Sequence, residues 1–302
     1  MHILSLRNVV KRYSNHTAVD NMSFDIPKGT IFGMLGPNGA GKTSTIRIIT
    51  TITAADEGQV LLDGEPLSHQ SPAYMGYMPE ERGLYKKMKV GDQLMYLAQL
   101  KGMEHKAAFN SIKEWMEKFD ITSWWDKKIQ ELSKGMQQKI QFISTVMHKP
   151  KLLILDEPFS GLDPINTNLI KDEIYQLNQE GTSIIFSTHR MEQVEEICEE
   201  IVLINKGKPI LQGSVKDVKN DFKENLFRIG FEGQLPSDLK ANGAFDVISD
   251  SREDVVIRVR EGHKSNDLLQ ALISRGIQIT SYQEILPSLN EIFIKKVGTS
   301  DE

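Results

Sequence analysis

Gly36-Pro37-Asn38-Gly39-Ala40-Gly41-Lys42-Thr43 decides how this chain is read. It fits the phosphate-cradling pattern G-x-x-x-x-G-K-[ST]. The apolar run Ile31-Phe32-Gly33-Met34-Leu35 before it reads as a buried strand, and the segment after it, carrying Ile46 and Ile49, reads as a helix. Strand, glycine-rich turn and helix is the context in which this pattern carries chemistry. Small residues let backbone N–H groups curl around a phosphate oxygen, and the helix N-terminus adds partial positive charge. Lys42 is placed to reach the β- and γ-phosphates, and the Thr43 hydroxyl to ligate Mg²⁺.

The rest of the composition is that of an ordinary globular protein. The 302 residues are enough for one large or two modest domains, with 39% hydrophobic and 25% charged residues. A formal net charge of −5 gives no electrostatic footprint for nucleic acid or anionic lipid. The single cysteine, Cys198, excludes an intrachain disulfide and fits a reducing compartment. Its neighbours Glu195, Glu196, Glu199 and Glu200 disfavour a thiolate. No segment approaches the ~18 consecutive apolar residues that cross a bilayer. The first residues do not read as a signal peptide. Any membrane role is therefore expected to come through a partner.

Along the chain, residues 1–30 alternate like strands, and Val60-Leu61-Leu62 meets a hairpin turn at Asp63-Gly64. From about 86 to 150 the pattern is helical. Leu94, Leu97 and Leu100 form one stripe, Phe109, Ile112, Met116 and Phe119 another, both read as core. A third helix runs from Lys134 to about His148 and stops before Pro150. Leu152-Leu153-Ile154-Leu155 and Ile184-Ile185-Phe186 are unbroken apolar runs, the pattern of strands buried on both faces of a parallel sheet. A helix near 165–178 separates them, giving β-α-β order. Asn205-Lys206-Gly207 reads as a hairpin turn. The last 80 or so residues form a separate small α+β module. Leu226–Phe231 and Val255–Arg260 are its strands, Asp267–Ser274 a short helix closed by Gly276, and Ile285–Val297 a second helical stripe. Residues 220–302 carry 14 acidic against 10 basic side chains, which excludes a basic nucleic-acid-binding appendage.

The Leu152–Leu155 strand ends in Asp156-Glu157-Pro158. Open α/β sheets bind ligands at the C-terminal ends of their strands. Asp156 there can assist a nucleotide-bound Mg²⁺, directly or through water. Glu157 can orient and deprotonate an attacking water.

The whole set resembles the nucleotide-binding subunit of an ATP-binding-cassette transporter, with motifs in the family's order over roughly residues 1–215. Tyr13 matches the aromatic residue that stacks on adenine, and Gly36, Pro37, Asn38, Gly39, Ala40, Gly41, Lys42, Thr43 and Ser44 the phosphate-binding set. Leu132-Ser133-Lys134-Gly135-Met136 matches the signature, usually Leu-Ser-Gly-Gly-Gln. Asp156 and Glu157 match the magnesium and catalytic carboxylates, Ser160-Gly161-Leu162-Asp163 the dimer-contact loop, and His189 the switch histidine that senses the γ-phosphate. Glu80 of Gly76-Tyr77-Met78-Pro79-Glu80 stands where the family has glutamine. It can still reach Mg²⁺ or its water, but it adds negative charge near the phosphates. Lys134 and Met136 also depart from the signature. Ser133 and Gly135 remain, where a helix opens and can present a hydroxyl and free N–H groups to a phosphate.

The resemblance implies an α/β phosphate-loop NTPase cassette at 1–218. Its parts are a mixed sheet core, an antiparallel β subdomain and a helical signature subdomain at about 86–150, with a small C-terminal α+β domain at 219–302. It implies ATP and Mg²⁺ as cofactors. The signature serves nucleotide held by the other subunit, so hydrolysis requires a head-to-tail dimer, homomeric or heteromeric. The variant motifs resemble ATPase subunits of ABC-2-type exporters, including sodium- and drug-export systems. These work on transmembrane permease subunits from the inner face of the cell membrane. The competing reading, a soluble cassette ATPase acting on ribosomes or DNA, meets a single phosphate loop, no sustained heptads and an acidic charge. A GTPase fails because Asn205-Lys206-Gly207-Lys208 ends in lysine where guanine recognition needs aspartate.

Overall fold

The computed structural model describes residues 1–81, 83–233 and 243–298. Strands β1 (His2–Tyr13) and β2 (His16–Pro27) pair antiparallel along nearly their whole length. β3 (Ile31–Leu35) and helix α1 (Lys42–Ile49) flank the glycine-rich loop. β4 (Glu57–Leu62) then pairs with β1 and turns at Asp63-Gly64 into the short β5 (Glu65–Pro66). These strands make an antiparallel sheet in the order β2-β1-β4-β5.

A second, mixed sheet carries the site. It uses β3 together with β6 (Met75–Met78), β7 (Leu152–Asp156), β8 (Ser183–Thr188), β9 (Glu200–Asn205) and β10 (Lys208–Ser214), in the order β10-β9-β3-β8-β7-β6. All neighbours are parallel except β10 on β9. That hairpin turns at Lys206 and Gly207, both at positive φ (48° and 79°), the geometry a tight two-residue turn demands. Every residue of β3, β7 and β8 is buried, as their unbroken apolar runs require. Phe24 of β2 stacks on Phe32 of β3 with centroids 5.6 Å apart. One apolar core thus joins the two sheets and includes Leu4, Leu6, Met34, Ile46 and Ile154. Each such side chain contributes about 1.5–3 kcal/mol by leaving water.

Three helices lie between β6 and β7: α2 (Val90–Leu100), α3 (His105–Lys118) and α4 (Lys134–Val146). Their buried faces differ from the sequence stripes in two places. On α2 the buried apolar side chains are Val90, Leu94 and Ala98, with Gly91 and Gln93 buried beside them, while Leu100 is 65% exposed. At about 100° per residue, steps of four hold a face, whereas two steps of three carry Leu100 about 120° away from Leu94. On α3, Ala108, Ile112 and Met116 are buried, but Phe109 is 42% exposed and packs edge-on against Trp125 at 5.5 Å. Two buried glutamines tie α4 to the sheet's upper loops. Gln141 Nε2 donates to the Pro79 carbonyl, and Gln138 Nε2 to that of Pro158, each at 2.8 Å.

Helices α5 (Pro164–Gln179) and α6 (Met191–Ile197) complete this unit. Cys198 is buried, and burial is the first cause pushing its thiol pKa up, with Glu199 adding to it. The sequence reading assigned that effect to the acidic neighbours; desolvation is the larger part.

The chain divides into compact units Met1–Val215 and Lys216–Glu302. The second begins along α7 (Val215–Asp221) and contains β11 (Leu226–Glu232), β12 (Phe245–Asp250), β13 (Asp254–Val259), α8 (Ser265–Ile273), β14 (Gln278–Ile285) and α9 (Leu289–Gly298). Its antiparallel sheet runs β12-β13-β11-β14, and Ile229, Val255, Ile257, Leu268 and Leu272 fill its core. β14 was not anticipated. Its sequence is largely polar and mostly exposed, so it carries little alternation to read.

Candidate nucleotide site

Parallel pairing sends the C-terminal ends of β3, β6, β7 and β8 to one edge of the sheet. Each delivers one part of the site. β3 runs into the glycine-rich loop, β6 leads to Pro79-Glu80, β7 ends in Asp156-Glu157, and β8 in Ser187-Thr188-His189.

The loop's shape depends on two glycines. Gly36 has φ 152°, and a Cβ there would lie 2.2 Å from the Ile204 carbonyl oxygen. Gly41, at φ 107°, would place a Cβ 2.4 Å from that of Ala18. Backbone crowds both, so a side chain has nowhere to go. Gly41 is also the N-cap of α1 and offers no side-chain cap, which leaves first-turn N–H groups of the helix for a ligand. Lys42 is only 8% exposed, and its Nζ donates to the carbonyls of Gly36 (2.6 Å) and Pro37 (3.1 Å). Burial lowers its pKa, opposed by Glu157, Asp156 and Glu80.

A cleft of about 430 Å³ opens over the loop. It is lined by Asn38 to Ser44 and by Tyr13, His16, Ala18, Glu80, Asp156 and Glu157. Tyr13 is 41% exposed, with the Lys11 ammonium 5.5 Å from its ring centroid. The cleft therefore presents an aromatic face, a run of backbone N–H groups, one ammonium, the Thr43 hydroxyl and three carboxylates.

The carboxylates are held differently. Asp156 is buried and accepts from Ser187 Oγ at 2.8 Å; burial raises its pKa, the Ser187 bond opposes this, and Glu157 and Glu80 add to the rise. Glu157 sits at φ 51°, a costly conformation for a side-chain-bearing residue. Three contacts hold its carboxylate there. Thr188 Oγ1 donates to Oε2 at 3.0 Å, the His189 backbone N–H to Oε1 at 2.8 Å, and His189 Nδ1 lies 2.6 Å from the same oxygen. Glu80 is exposed at the cleft's edge. Among the described residues, no three His, Cys, Asp or Glu side chains form a metal cage. A nucleotide-borne Mg²⁺ does not need one, since one or two carboxylates, a hydroxyl and phosphate oxygens suffice. Thr43, Asp156 and Glu80 fit that requirement.

Ser133, Gly135, Asp163 and His189 do not line this cleft, nor do Gly36 and Pro37, whose carbonyls accept from Lys42 instead. Ser133 caps α4, its Oγ accepting from Met136 N–H at 3.3 Å, and a Cβ on Gly135 would touch Leu162 at 3.7 Å. Asp163 caps α5, accepting from the Asn166 backbone at 2.9 Å, and that bond is the first cause lowering its pKa. Ser187 and Thr188, which hold the two acids, directly precede His189 and were missed in the sequence. Their hydroxyls beside a candidate switch residue were the signal that could have found them.

Comparison with known proteins shows the family. Residues 19–160 match the ABC transporter family, and residues 213–297 match the C-terminal domain of DrrA1-3-like ATP-binding proteins. The chain is 45% identical over 296 residues to the uncharacterised ABC transporter ATP-binding protein YhaQ of Bacillus subtilis strain 168, covering 98% of this chain and 99% of that one. It is 30% identical to the lipopolysaccharide export system ATP-binding protein LptB of Haemophilus influenzae, over 78% of this chain and 100% of the relative. A solved ATP-binding subunit of an ABC transporter superposes with a TM-score of 0.69 at 24% identity, over 73% of this chain and 93% of that one, a likeness of fold. Fold and site together define a phosphate-loop ATPase. The chain belongs to the ABC transporter ATP-binding proteins, with the cassette followed by a DrrA-like C-terminal domain.

Proposed function

We propose that this chain is the ATP-hydrolysing motor subunit of an ABC-2-type exporter. It works head-to-tail with a second ATPase subunit, identical or different, on separate transmembrane permease subunits at the inner face of the cell membrane. The observation that carries the reading is a division of parts. The phosphate loop, Asp156, Glu157 and Glu80 share one cleft, while the Ser133-capped start of α4 lies outside it. A helix N-terminus with a hydroxyl and a glycine is equipped to meet phosphate, and here it is free to meet a neighbour's. The export relative supports the direction of transport. Among the described residues no helix is long and apolar enough to cross a bilayer, and the solute path is assigned to the permease on family resemblance.

In this reading Tyr13 stacks on adenine. N–H groups from Gly39 to Ser44 receive the phosphates, and Lys42 exchanges its loop carbonyls for phosphate oxygens. Glu157 accepts a proton from the attacking water while Thr188 and His189 fix its position, and His189 reports the γ-phosphate. Bound Mg²⁺ neutralises phosphate charge, with Thr43, Asp156 and Glu80 placed to hold it. Asp163 bears on the subunit contact. The test pairs two variants. Glu157→Gln is expected to bind ATP, form a stable dimer and lose hydrolysis at least about 100-fold. Lys42→Ala is expected to lose nucleotide binding. Normal turnover by Glu157→Gln would refute the catalytic assignment, and undiminished binding by Lys42→Ala would remove the loop from the site.

A further inference from the structure

The cleft over the phosphate loop carries more negative charge than its single ammonium offsets. Glu80, Asp156 and Glu157 line it against Lys42, three carboxylates against one ammonium. Two of the three acids are compensated locally, Asp156 by the Ser187 hydroxyl and Glu157 by Thr188 and His189. Glu80 differs. Among the described residues its carboxylate makes no hydrogen bond and no close ion pair, and it stands exposed where the loop after β6 faces the cleft. Its backbone is nonetheless tied down, because the preceding carbonyl, Pro79 O, accepts from the buried Gln141 of α4. Glu80 also lines the adjoining cavity with Thr43, Asp156 and Arg47.

A triphosphate brings further negative charge into this field. With a divalent cation present, Glu80 can serve as an additional oxygen ligand, and its charge becomes attractive. Without the cation, the same carboxylate only repels. An amide at this position can still lend an oxygen to the cation but carries no charge to repel a bare triphosphate.

We propose that Glu80 makes nucleotide binding conditional on a divalent cation, so that the chain takes the metal–nucleotide complex and turns away the free nucleotide. The proposal rests on the phosphate-loop reading of the cleft. It concerns this chain's departure from the family glutamine.

The experiment is equilibrium binding of ATP to the full-length protein by calorimetry, once in excess Mg²⁺ and once in excess EDTA. It compares wild type with Glu80→Gln and Glu80→Ala, and thermal melts confirm folding. Because Glu80 is exposed, both variants are expected to melt like wild type. In EDTA, both neutral variants are expected to bind ATP at least about fivefold more tightly than wild type. In Mg²⁺ the order is expected to reverse, with Glu80→Ala, which removes the oxygen ligand, binding less tightly than wild type. The advantage in EDTA should shrink as salt rises. Equal EDTA affinities for wild type and Glu80→Gln would overturn the proposal and leave the phosphate-loop reading standing. A folded wild type that binds no ATP even in excess Mg²⁺ would bring both down.

Discussion

Glu157 meets His189 twice through one oxygen: Oε1 lies 2.6 Å from Nδ1 and accepts the His189 backbone N–H at 2.8 Å. The residue at positive φ is thereby aimed by the end of the neighbouring strand. Thr188 completes the grip through the other oxygen. Thr188→Val keeps the shape and removes that bond. It is expected to lower kcat about tenfold, the range for one hydrogen bond to a charged group, while the affinity for ATP stays within about twofold. Steady-state phosphate release and equilibrium binding separate the two. A variant with unchanged kcat would mean His189 alone fixes the carboxylate.

The loop before α1 tolerates no side chain at Gly36, where a Cβ would lie 2.2 Å from the Ile204 carbonyl oxygen. Gly36→Ala is expected to displace the loop from β9. Destabilisation of at least about 1–3 kcal/mol should result, with loss of nucleotide binding beyond about tenfold. Gly39→Ala is the comparison. Gly39 has φ 79° but nothing within 4 Å of its added Cβ, so backbone conformation alone is strained and the loss should be smaller. Melting temperatures and nucleotide titrations of the pair decide it.

Much of this site can be read from spacing. The loop, the acids after β7 and the histidine after β8 each follow an apolar run, and parallel order alone places them on one edge. What the sequence does not carry is the holding of those groups. Ser187 and Thr188 act through short contacts between neighbouring strands, and a single chain pattern does not encode strand adjacency. Gln138 and Gln141 look like polar positions on an amphipathic helix, yet both are buried, each donating its Nε2 to a loop carbonyl. β14 escaped because its polar residues hide the period of two, and Leu100 misled because leucine at a spacing of three drifts off the buried face.

Lys118 on α3 and Glu173 on α5 form an ion pair at 2.5 Å, and the Glu173 side chain is only 6% exposed. Lys118 also donates to Gln176 at 2.7 Å. Removing the cation strands a buried carboxylate. Lys118→Met is therefore expected to cost about 2 kcal/mol, less than a fully buried pair because Lys118 reaches solvent. Lys118→Met combined with Glu173→Leu should recover at least about half of that loss, since the charge needing compensation is gone. Chemical denaturation of the single and double variants gives the coupling energy. Simple additivity would show that the pair contributes nothing.

His148 follows α4 and sits against the start of β6. Its Nε2 is 3.0 Å from the Met75 carbonyl and must donate, because a carbonyl only accepts. Nδ1 is buried without a partner, and Lys101 Nζ shares the same carbonyl at 2.8 Å. Protonating Nδ1 would bury a new donor beside an ammonium. Burial first, and Lys101 second, push the pKa down from 6.5 to about 4. The unfolded chain therefore binds the proton more readily than the folded one between those values, so stability rises with pH through that window. The contribution is complete above about pH 6.5, declines as pH falls toward 4, and reaches up to about 3 kcal/mol. His148→Gln keeps a donor for Met75 and cannot titrate in this range. Between pH 7 and pH 4.5 the wild-type cassette is expected to lose about 2 kcal/mol more than this variant, measured from urea midpoints at each pH. Parallel losses would show that His148 is already charged in the folded state or equally hindered in the unfolded one.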